Sequence, residues 1–173
     1  MNRQIGPINQ FSYVVRDLDA AIRHWADVLQ VGPFFVLEHV PYSMCRYHGA
    51  PTDIDMDVAL AYSGDVQIEL VHQRNDAPSI FTDFLRERGE GLQHVGVITS
   101  DLDLALEHFA GRSIEPVQDG VAENGTRFAY LDTALVPGTM LELFELPPAI
   151  ERAFGKMRQT CAAWDPATGA ARR

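Results

Sequence analysis

A histidine stands in the middle of a predicted strand, in the stretch LQHVGVITSDLDLALEHF, residues 92–109. The side chain of this His94 can bind a metal ion or carry a proton near neutral pH. A second stretch, INQFSYVVRDLDAAIRHW, residues 8–25, has the same pattern and aligns without a gap, with Gln10 in the place of His94. The chain therefore contains an internal duplication, and each copy carries a polar side chain that could act as a ligand in its first strand.

Two carboxylates occupy a second pair of equivalent positions. The segment VQIELVHQ, residues 66–73, aligns with TMLELFEL, residues 139–146, and pairs Glu69 with Glu142. Because side chains alternate along a strand, both glutamates are predicted to point away from the helices, like Gln10 and His94. A single glutamate in this pattern is usually only the solvated face of a strand. The functional interpretation depends on the coincidence that both halves place a donor at both positions.

One imidazole nitrogen, one amide oxygen and two carboxylates form a donor set without thiolate. Such a set suits one divalent Zn, Ni, Co, Mn or Fe ion with more than four coordination positions. A metal held there would polarise a carbonyl group and stabilise the enediolate that forms when the neighbouring carbon loses its proton. A loosely held glutamate could move that proton. The residues therefore predict proton transfer next to a carbonyl, with Glu142 or Glu69 as the base.

The predicted elements that position these side chains are arranged as βαβββ in each half. Each half begins with a strand and continues with a helix that starts at Asp17 or Asp101, both plausible N-caps. Three extended segments follow in each half; they are predicted at 33–40, 56–63 and 66–72, and at 113–118, 126–132 and 138–145. The predicted fold is therefore α+β, with two tandem βαβββ modules whose curved mixed sheets form a metal-centred cup.

The predicted modules span residues 6–73 and 92–146, and residues 74–91 contain a connecting helix. Residues 147–173 are predicted to form a C-terminal helix and a frayed tail. In the first strand, the face of Phe11 and Tyr13 is predicted to lie under the helix. On the opposite face, the small residues Ser12 and Gly96 would leave room inside the cup.

Composition narrows the partners and the location. The formal net charge of −10 argues against nucleic acid or an anionic membrane as the main partner. The only cysteines, Cys45 and Cys161, form no C-x-x-C pair, so neither a thiolate zinc site nor a disulfide framework is expected. No apolar run approaches membrane length. These features predict a cytoplasmic protein with reduced thiols.

The doubled βαβββ pattern, the two DLDxA helix starts, the paired strands that contain Glu-Leu and the stretch LQVGPFFVLE resemble the vicinal oxygen chelate superfamily. The resemblance covers about residues 6–146. This superfamily includes glyoxalase I, methylmalonyl-CoA epimerase, extradiol dioxygenases and bleomycin-resistance proteins. The resemblance implies that the four ligand positions of the family fall on Gln10, Glu69, His94 and Glu142, and that the chain forms a homodimer.

This ligand set is similar to that of eukaryotic-type glyoxalase I. Methylmalonyl-CoA epimerases usually carry His at the first position and Gln at the second, so this chain departs from them at both. The resemblance implies a metal-dependent isomerase, epimerase or lyase that acts on a small carbonyl compound, either a thioester or a hemithioacetal. One alternative is a resistance-type protein that binds a small molecule without turnover. A less favoured alternative is an Fe(II) extradiol-type dioxygenase, because those enzymes use a first histidine where this chain has Gln10.

Substrate selection is expected in the segment EHVPYSMCRYHGAPTDIDM, residues 38–56, between two predicted strands. The candidate substrate-binding residues of this segment are Tyr42, Arg46, Tyr47 and His48, and Ser12 joins them from the first strand. Arg46 could clamp an anion. An ordinary polar hairpin loop explains the segment equally well. The C-terminal helix could bury its apolar side chains in a dimer interface or pack within the monomer.

Overall fold

The computed structural model describes residues 5–173, apart from the side chains of residues 135 and 136. The strands are β1 (Ile8–Val14), β2 (Phe35–Leu37), β3 (Tyr42–Tyr47), β4 (Ala50–Pro51), β5 (Met56–Ser63), β6 (Val66–Gln73), β7 (Gly91–Ile98), β8 (Pro116–Ala122), β9 (Arg127–Val136) and β10 (Thr139–Glu145). The helices are α1 (Leu18–Asp27), α2 (Ile80–Glu87), α3 (Leu102–Ala110) and α4 (Pro148–Ala162). The predicted α+β class, the two modules and the C-terminal helix are confirmed.

The strands form one continuous sheet in the order β2-β5-β6-β1-β7-β10-β9-β8-β3-β4. The two halves join where β1 pairs antiparallel with β7. On either side of this seam the pairing is parallel, β1 with β6 and β7 with β10. The first and last strands of both modules, which carry the four candidate ligands, therefore lie side by side at the centre of the sheet.

The segment between β2 and β5 departs from the simple duplication. It forms the short strands β3 and β4, and β3 pairs with β8 at the edge of the second half. The extended segment predicted at 33–40 is reduced to the three residues of β2, and the one predicted at 113–118 is shifted to β8. A strand of one half thus extends the sheet of the other, a long-range pairing that local sequence patterns do not encode.

The helices begin where the sequence predicts. The Asp17 carboxylate accepts a hydrogen bond from the backbone N–H of Ala20 at 2.9 Å, and the Asp101 carboxylate does the same for Leu104 at 2.9 Å. These bonds satisfy amides that have no partner in the first helical turn. Within the described residues, no helix has the length and apolar character needed to cross a membrane.

The two faces of the sheet have different roles. Phe11 and Tyr13 pack in one core with α1, and the Tyr13 and Trp25 rings lie edge to face with centroids 5.2 Å apart. An equivalent core lies under α3 in the second half. The predicted helix-covered face is confirmed. On the opposite face, a third core gathers side chains from both halves and from α2 and α4, and this concave face holds the candidate site.

The C-terminal residues are not frayed, contrary to the prediction. The backbone N–H of Phe34 donates to the carbonyl of Ala171 at 2.8 Å. The guanidinium of Arg172 binds the carboxylates of Asp19 and Glu38, each at 2.5 Å. The tail is ordered because it extends the edge of β2 and because one cation neutralises two carboxylates. The helix before it, α4, packs against β5 within the same chain.

Asp57 connects three parts of the first half. Its carboxylate accepts a hydrogen bond from the backbone N–H of His39 at 3.0 Å and pairs with Arg74 at 2.6 Å. Burial acts to raise the pKa of this carboxyl, but the bonds from His39 and Arg74 outweigh it and hold the pKa below its usual value. The folded state therefore favours the ionised form. The ionised Asp57 stabilises the folded chain above the pKa that this carboxyl has in the unfolded chain. This stabilisation is lost as pH falls through its lower pKa in the folded chain.

We expect Asp57→Asn to lower the free energy of unfolding by about 1–3 kcal/mol at pH 7, because the substitution removes hydrogen bonds to a buried charged group. The deficit should shrink as pH falls below 4. Urea unfolding at pH 7 and pH 3 measures both quantities, with the exposed Asp53→Asn as control. A deficit that is the same at both pH values would contradict this account.

Candidate metal centre

His94 lies in the middle of β7 and is completely buried. Its Nε2 is 3.2 Å from Oε2 of Glu69 on β6 and 3.4 Å from Oε2 of Glu142 on β10. Gln10, on β1 between β6 and β7, is also buried. The structure thus brings the four predicted ligands to one place, and a single chain supplies all of them.

A β-bulge orients the imidazole. In the pairing of β1 with β7, Ser12 is opposite His94 whereas Tyr13 is opposite Leu92, so Gln93 is the extra residue. The Oε1 of Gln93 is 2.7 Å from Nδ1 of His94 and accepts its N–H. Because Nδ1 then carries a proton, Nε2 is the ring nitrogen left to face the two carboxylates.

Sequence analysis did not single out Gln93. Strand alternation places the residue before His94 on the helix-covered face, where a fully buried amide side chain is unexpected. That mismatch is the only local signal for the bulge. The pairing has a second irregularity at Asn9, which precedes Gln10 as Gln93 precedes His94.

The amide of Gln10 is also held in one orientation. Its Nε2 donates to Oε1 of Gln67 at 2.8 Å, and Nε2 of Gln67 donates to the hydroxyl of Tyr62 at 3.0 Å. This chain of bonds uses the donor side of the Gln10 amide. Its acceptor Oε1 is buried and has no hydrogen-bond partner.

Two small residues leave room around these groups, as the sequence predicts. Ser12 is the register neighbour of both Glu69 and His94, and its buried hydroxyl has no hydrogen-bond partner. Gly96 is the corresponding neighbour of Gln10 and Glu142. A Cβ at Gly96 would approach the Cβ of Gln10 to 2.9 Å, so a larger residue would displace the amide.

The pKa of His94 reflects its neighbours. Burial acts to lower it, but the nearby carboxylates of Glu142 and Glu69 outweigh burial and raise the pKa from 6.5 to about 9. In this state the imidazolium is the cation between the two carboxylates. Within residues 5–173, no group of three or more His, Cys, Asp and Glu side chains is arranged to hold a metal ion by those side chains alone.

The donor chemistry nevertheless fits a divalent ion. Nε2 of His94 and Oε1 of Gln10 are both buried without a hydrogen-bond partner, although Nε2 lies within ion-pair distance of Glu69 and Glu142. Buried polar atoms are normally satisfied, so each such atom calls for an explanation. A metal ion in place of the imidazolium proton would satisfy both atoms and balance the two carboxylates.

The site opens into a cavity of about 150 Å³ on the concave face. Its polar lining includes Gln10, Glu69 and Glu142 and two tyrosines, Tyr42 and Tyr130. Burial first, and then the carboxylates of Glu69 and Glu142, raise the pKa of both phenols. Both hydroxyls therefore stay protonated.

The other predicted substrate-binding residues lie elsewhere. Tyr42 lines the cavity, but Arg46, Tyr47 and His48 do not. The Arg46 side chain pairs with Asp119 on β8, and the Tyr47 hydroxyl donates to a carboxylate on α2. His48 is exposed. Arg46 and Tyr47 lie at the far end of β3 from Tyr42 and His48 lies in the turn after it, so the structure does not bring these three residues to the cavity.

Comparisons with known proteins agree with this architecture. The model of the glyoxalase/bleomycin resistance protein/dioxygenase superfamily matches residues 9–130. No curated protein matches the chain significantly. The chain is similar to the crystal structure of methylmalonyl-CoA epimerase from Mycobacterium tuberculosis, with 20% identity and a TM-score of 0.63, over 88% of this chain and 95% of that one.

Two further solved structures show the same likeness. A hypothetical protein from Bacillus halodurans C-125 has 16% identity and a TM-score of 0.60, over 82% of this chain and 94% of that one. A methylmalonyl-CoA epimerase in complex with methylmalonyl-CoA and NH4+ has 16% identity and a TM-score of 0.56, over 83% of this chain and 96% of that one. At these identities the likeness shows the fold alone.

We expect Gln93→Leu to weaken divalent metal binding roughly 10- to 100-fold, because the variant loses the carbonyl that fixes the orientation of His94. Zn²⁺ titration against a competing chelator measures the affinity. The matched control is Gln118→Leu, which also removes a fully buried glutamine but leaves His94 untouched. Equal losses in both variants would show that Gln93 acts only through general stability.

Proposed function

We propose that this chain, which belongs to the glyoxalase/bleomycin resistance protein/dioxygenase superfamily, is a divalent-metal-dependent isomerase, epimerase or lyase. Its reaction is proton transfer at the carbon next to the carbonyl of a thioester or a hemithioacetal. The observation that carries this proposal is the convergence of four donors on one side of an otherwise apolar cavity. These donors are the buried Nε2 of His94, the carboxylates of Glu69 and Glu142 that flank it, and the buried Oε1 of Gln10, which has no hydrogen-bond partner.

Gln10, Glu69, His94 and Glu142 would hold one divalent Zn, Ni, Co, Mn or Fe ion. When bound, the ion supplies a Lewis acid that stabilises negative charge on the carbonyl oxygen. Gln93 and Gln67 orient the two uncharged donors through the bonds at 2.7 and 2.8 Å. These two glutamines therefore preorganise the imidazole and the amide of the donor set.

Glu142 is the favoured base. Its carboxylate takes the proton from the carbon next to the carbonyl, the C–H bond breaks, an O–H bond forms, and the electron pair moves to the carbonyl oxygen. Return of the proton to the former carbonyl carbon, with transfer of the hydroxyl proton of the hemithioacetal to the former carbonyl oxygen, completes an isomerisation. Glu69, on the other side of His94, is the alternative base, and delivery of a proton from the opposite face would complete an epimerisation. The apolar walls keep water away from the charged intermediate.

Both substrate classes retain support. One similar solved structure is a complex with methylmalonyl-CoA, which is a thioester, while the donor set with Gln at the first position favours a hemithioacetal. A homodimer in the cytoplasm is part of the proposal. The location is supported by Cys45 and Cys161, which are both buried and unpaired. A dimer is not needed to complete the donor set, since one chain supplies it.

A second candidate function is capture of a small molecule without turnover. It is favoured by the ion-paired state of His94, which fills the space between the carboxylates without a metal. An Fe(II) extradiol-type dioxygenase is less favoured, because Gln10 occupies the position of the first histidine. Oxygen uptake with a catechol and Fe²⁺ would revive that function.

We expect Glu142→Gln to slow proton exchange roughly 100- to 10,000-fold, because the amide retains a metal-binding oxygen but cannot accept a proton. Exchange of the α proton in D2O, followed by NMR with the glutathione hemithioacetal of methylglyoxal and with a 2-methylacyl-CoA, measures the rate. Metal content is measured in parallel. Glu69→Gln tests the alternative base, and the exposed Glu107→Gln is the control.

Two outcomes would contradict the proposal. If metal-loaded wild-type protein exchanges no proton of either substrate, capture without turnover is the better description. If both single glutamine variants retain the wild-type rate, proton transfer does not use these carboxylates.

A further inference from the structure

The C-terminal helix α4 forms one wall of the cavity. Ile150 and Phe154, one helical turn apart, line it, and Leu146 joins them from the end of β10. Residues 148–162 lie outside the 9–130 range that matches the family model. This wall is therefore placed by a part of the chain that the family match does not include.

Most of the cavity lining is apolar. The apolar side chains are Leu37, Val40, Met56, Val58, Leu60, Val71, Phe81, Ala122, Phe128, Phe144, Leu146, Ile150 and Phe154. Glu69 and Glu142 are the only charged residues among those that line it, and none is Arg, Lys or His. A carboxylate of the substrate that entered away from the bound metal would lose its hydration without meeting a cation, which is strongly unfavourable.

The polar lining residues other than the two glutamates are also uncharged: Gln10, Tyr42, Asn124, Thr126 and Tyr130. Thr126 lines the cavity, and its buried hydroxyl has no hydrogen-bond partner. A hydroxyl in this state can donate to a neutral acceptor such as an amide or thioester carbonyl. The volume of about 150 Å³ limits what fits, because an apolar cavity of about this size holds a benzene-sized group.

We propose that the substituent on the reacting carbon is uncharged and apolar, between a branched four-carbon alkyl group and a phenyl ring in size, and that it packs against Ile150 and Phe154. This inference rests on the proposed function, because the reacting carbon is placed by the metal centre. It departs from the neighbouring structure determined with methylmalonyl-CoA, whose acyl group carries a carboxylate.

Three hydroxamates test the inference without turnover, since a hydroxamate binds a metal through two oxygens. Acetohydroxamate has only hydrogen on the α carbon, phenylacetohydroxamate adds a phenyl ring, and malonomonohydroxamate adds a carboxylate. Titration calorimetry on Zn²⁺-loaded protein should show the phenyl compound binding at least about 10-fold more tightly than acetohydroxamate. The carboxylate compound should bind no more tightly than acetohydroxamate. Tightest binding by the carboxylate compound would overturn the inference.

Phe154→Ala should remove most of the advantage of the phenyl compound and leave the affinity for acetohydroxamate unchanged. The matched control is Arg152→Ala, an exposed position on the same helix, which should change none of the three affinities. An equal loss for all three compounds in Phe154→Ala would show that α4 supports the fold rather than selecting the substituent.

Metal-free protein separates this inference from the proposed function. Benzyl alcohol should shift the methyl NMR signals of Ile150 and Leu146, whereas malonate should not. If these shifts occur but no hydroxamate binds after metal loading, the metal-dependent function fails and the apolar site stands. If the hydroxamates bind without preference and benzyl alcohol causes no shift, the apolar site fails and the metal centre stands.

Discussion

The structure depends on how two carboxylates and one imidazole are balanced inside an apolar face. Glu142 on the adjacent strand β10 and Glu69 on β6, two strands away, approach the same nitrogen of His94, which is completely buried. Two buried negative charges are strongly unfavourable unless a cation lies between them. An imidazolium at His94, which its raised pKa favours, supplies that cation when no metal is bound. A divalent ion would supply it equally well, and it would also satisfy the buried oxygen of Gln10 that has no hydrogen-bond partner.

The pairing of the two halves creates this arrangement. Because β1 pairs with β7, Gln10 of the first copy and His94 of the second copy lie on adjacent strands at the seam between the halves. The strands that pair in parallel with β1 and β7 supply the two glutamates. Glu69 on β6 lies beside Ser12, and Glu142 on β10 lies beside Gly96. Any side chain larger than hydrogen at Gly96 would push into Gln10. The duplication thus explains why the four donors occupy two pairs of equivalent positions and why small residues lie between them.

Sequence patterns were sufficient to predict that the four candidate donors lie on one face of the sheet, and insufficient to predict their surroundings. Strand alternation fixes which face Glu69 and His94 occupy, and the duplication shows that the faces of both halves coincide, so the four residues follow from local rules. The bulge at Gln93 does not follow from them, because it depends on register across the seam. The same holds for α4, whose amphipathic pattern fits a dimer interface as well as a cavity wall. Arg46 was attractive as an anion clamp by residue type alone, yet strand pairing places it against Asp119.

Metal content of the purified protein tests the account most directly, measured by elemental mass spectrometry on the wild type and on His94→Ala. The account predicts about one divalent Zn, Ni, Co, Mn or Fe ion per wild-type chain, and loss of that ion in the variant because the nitrogen donor is gone. Wild-type protein that holds no metal even after reloading, or a variant that retains a full complement, would contradict it.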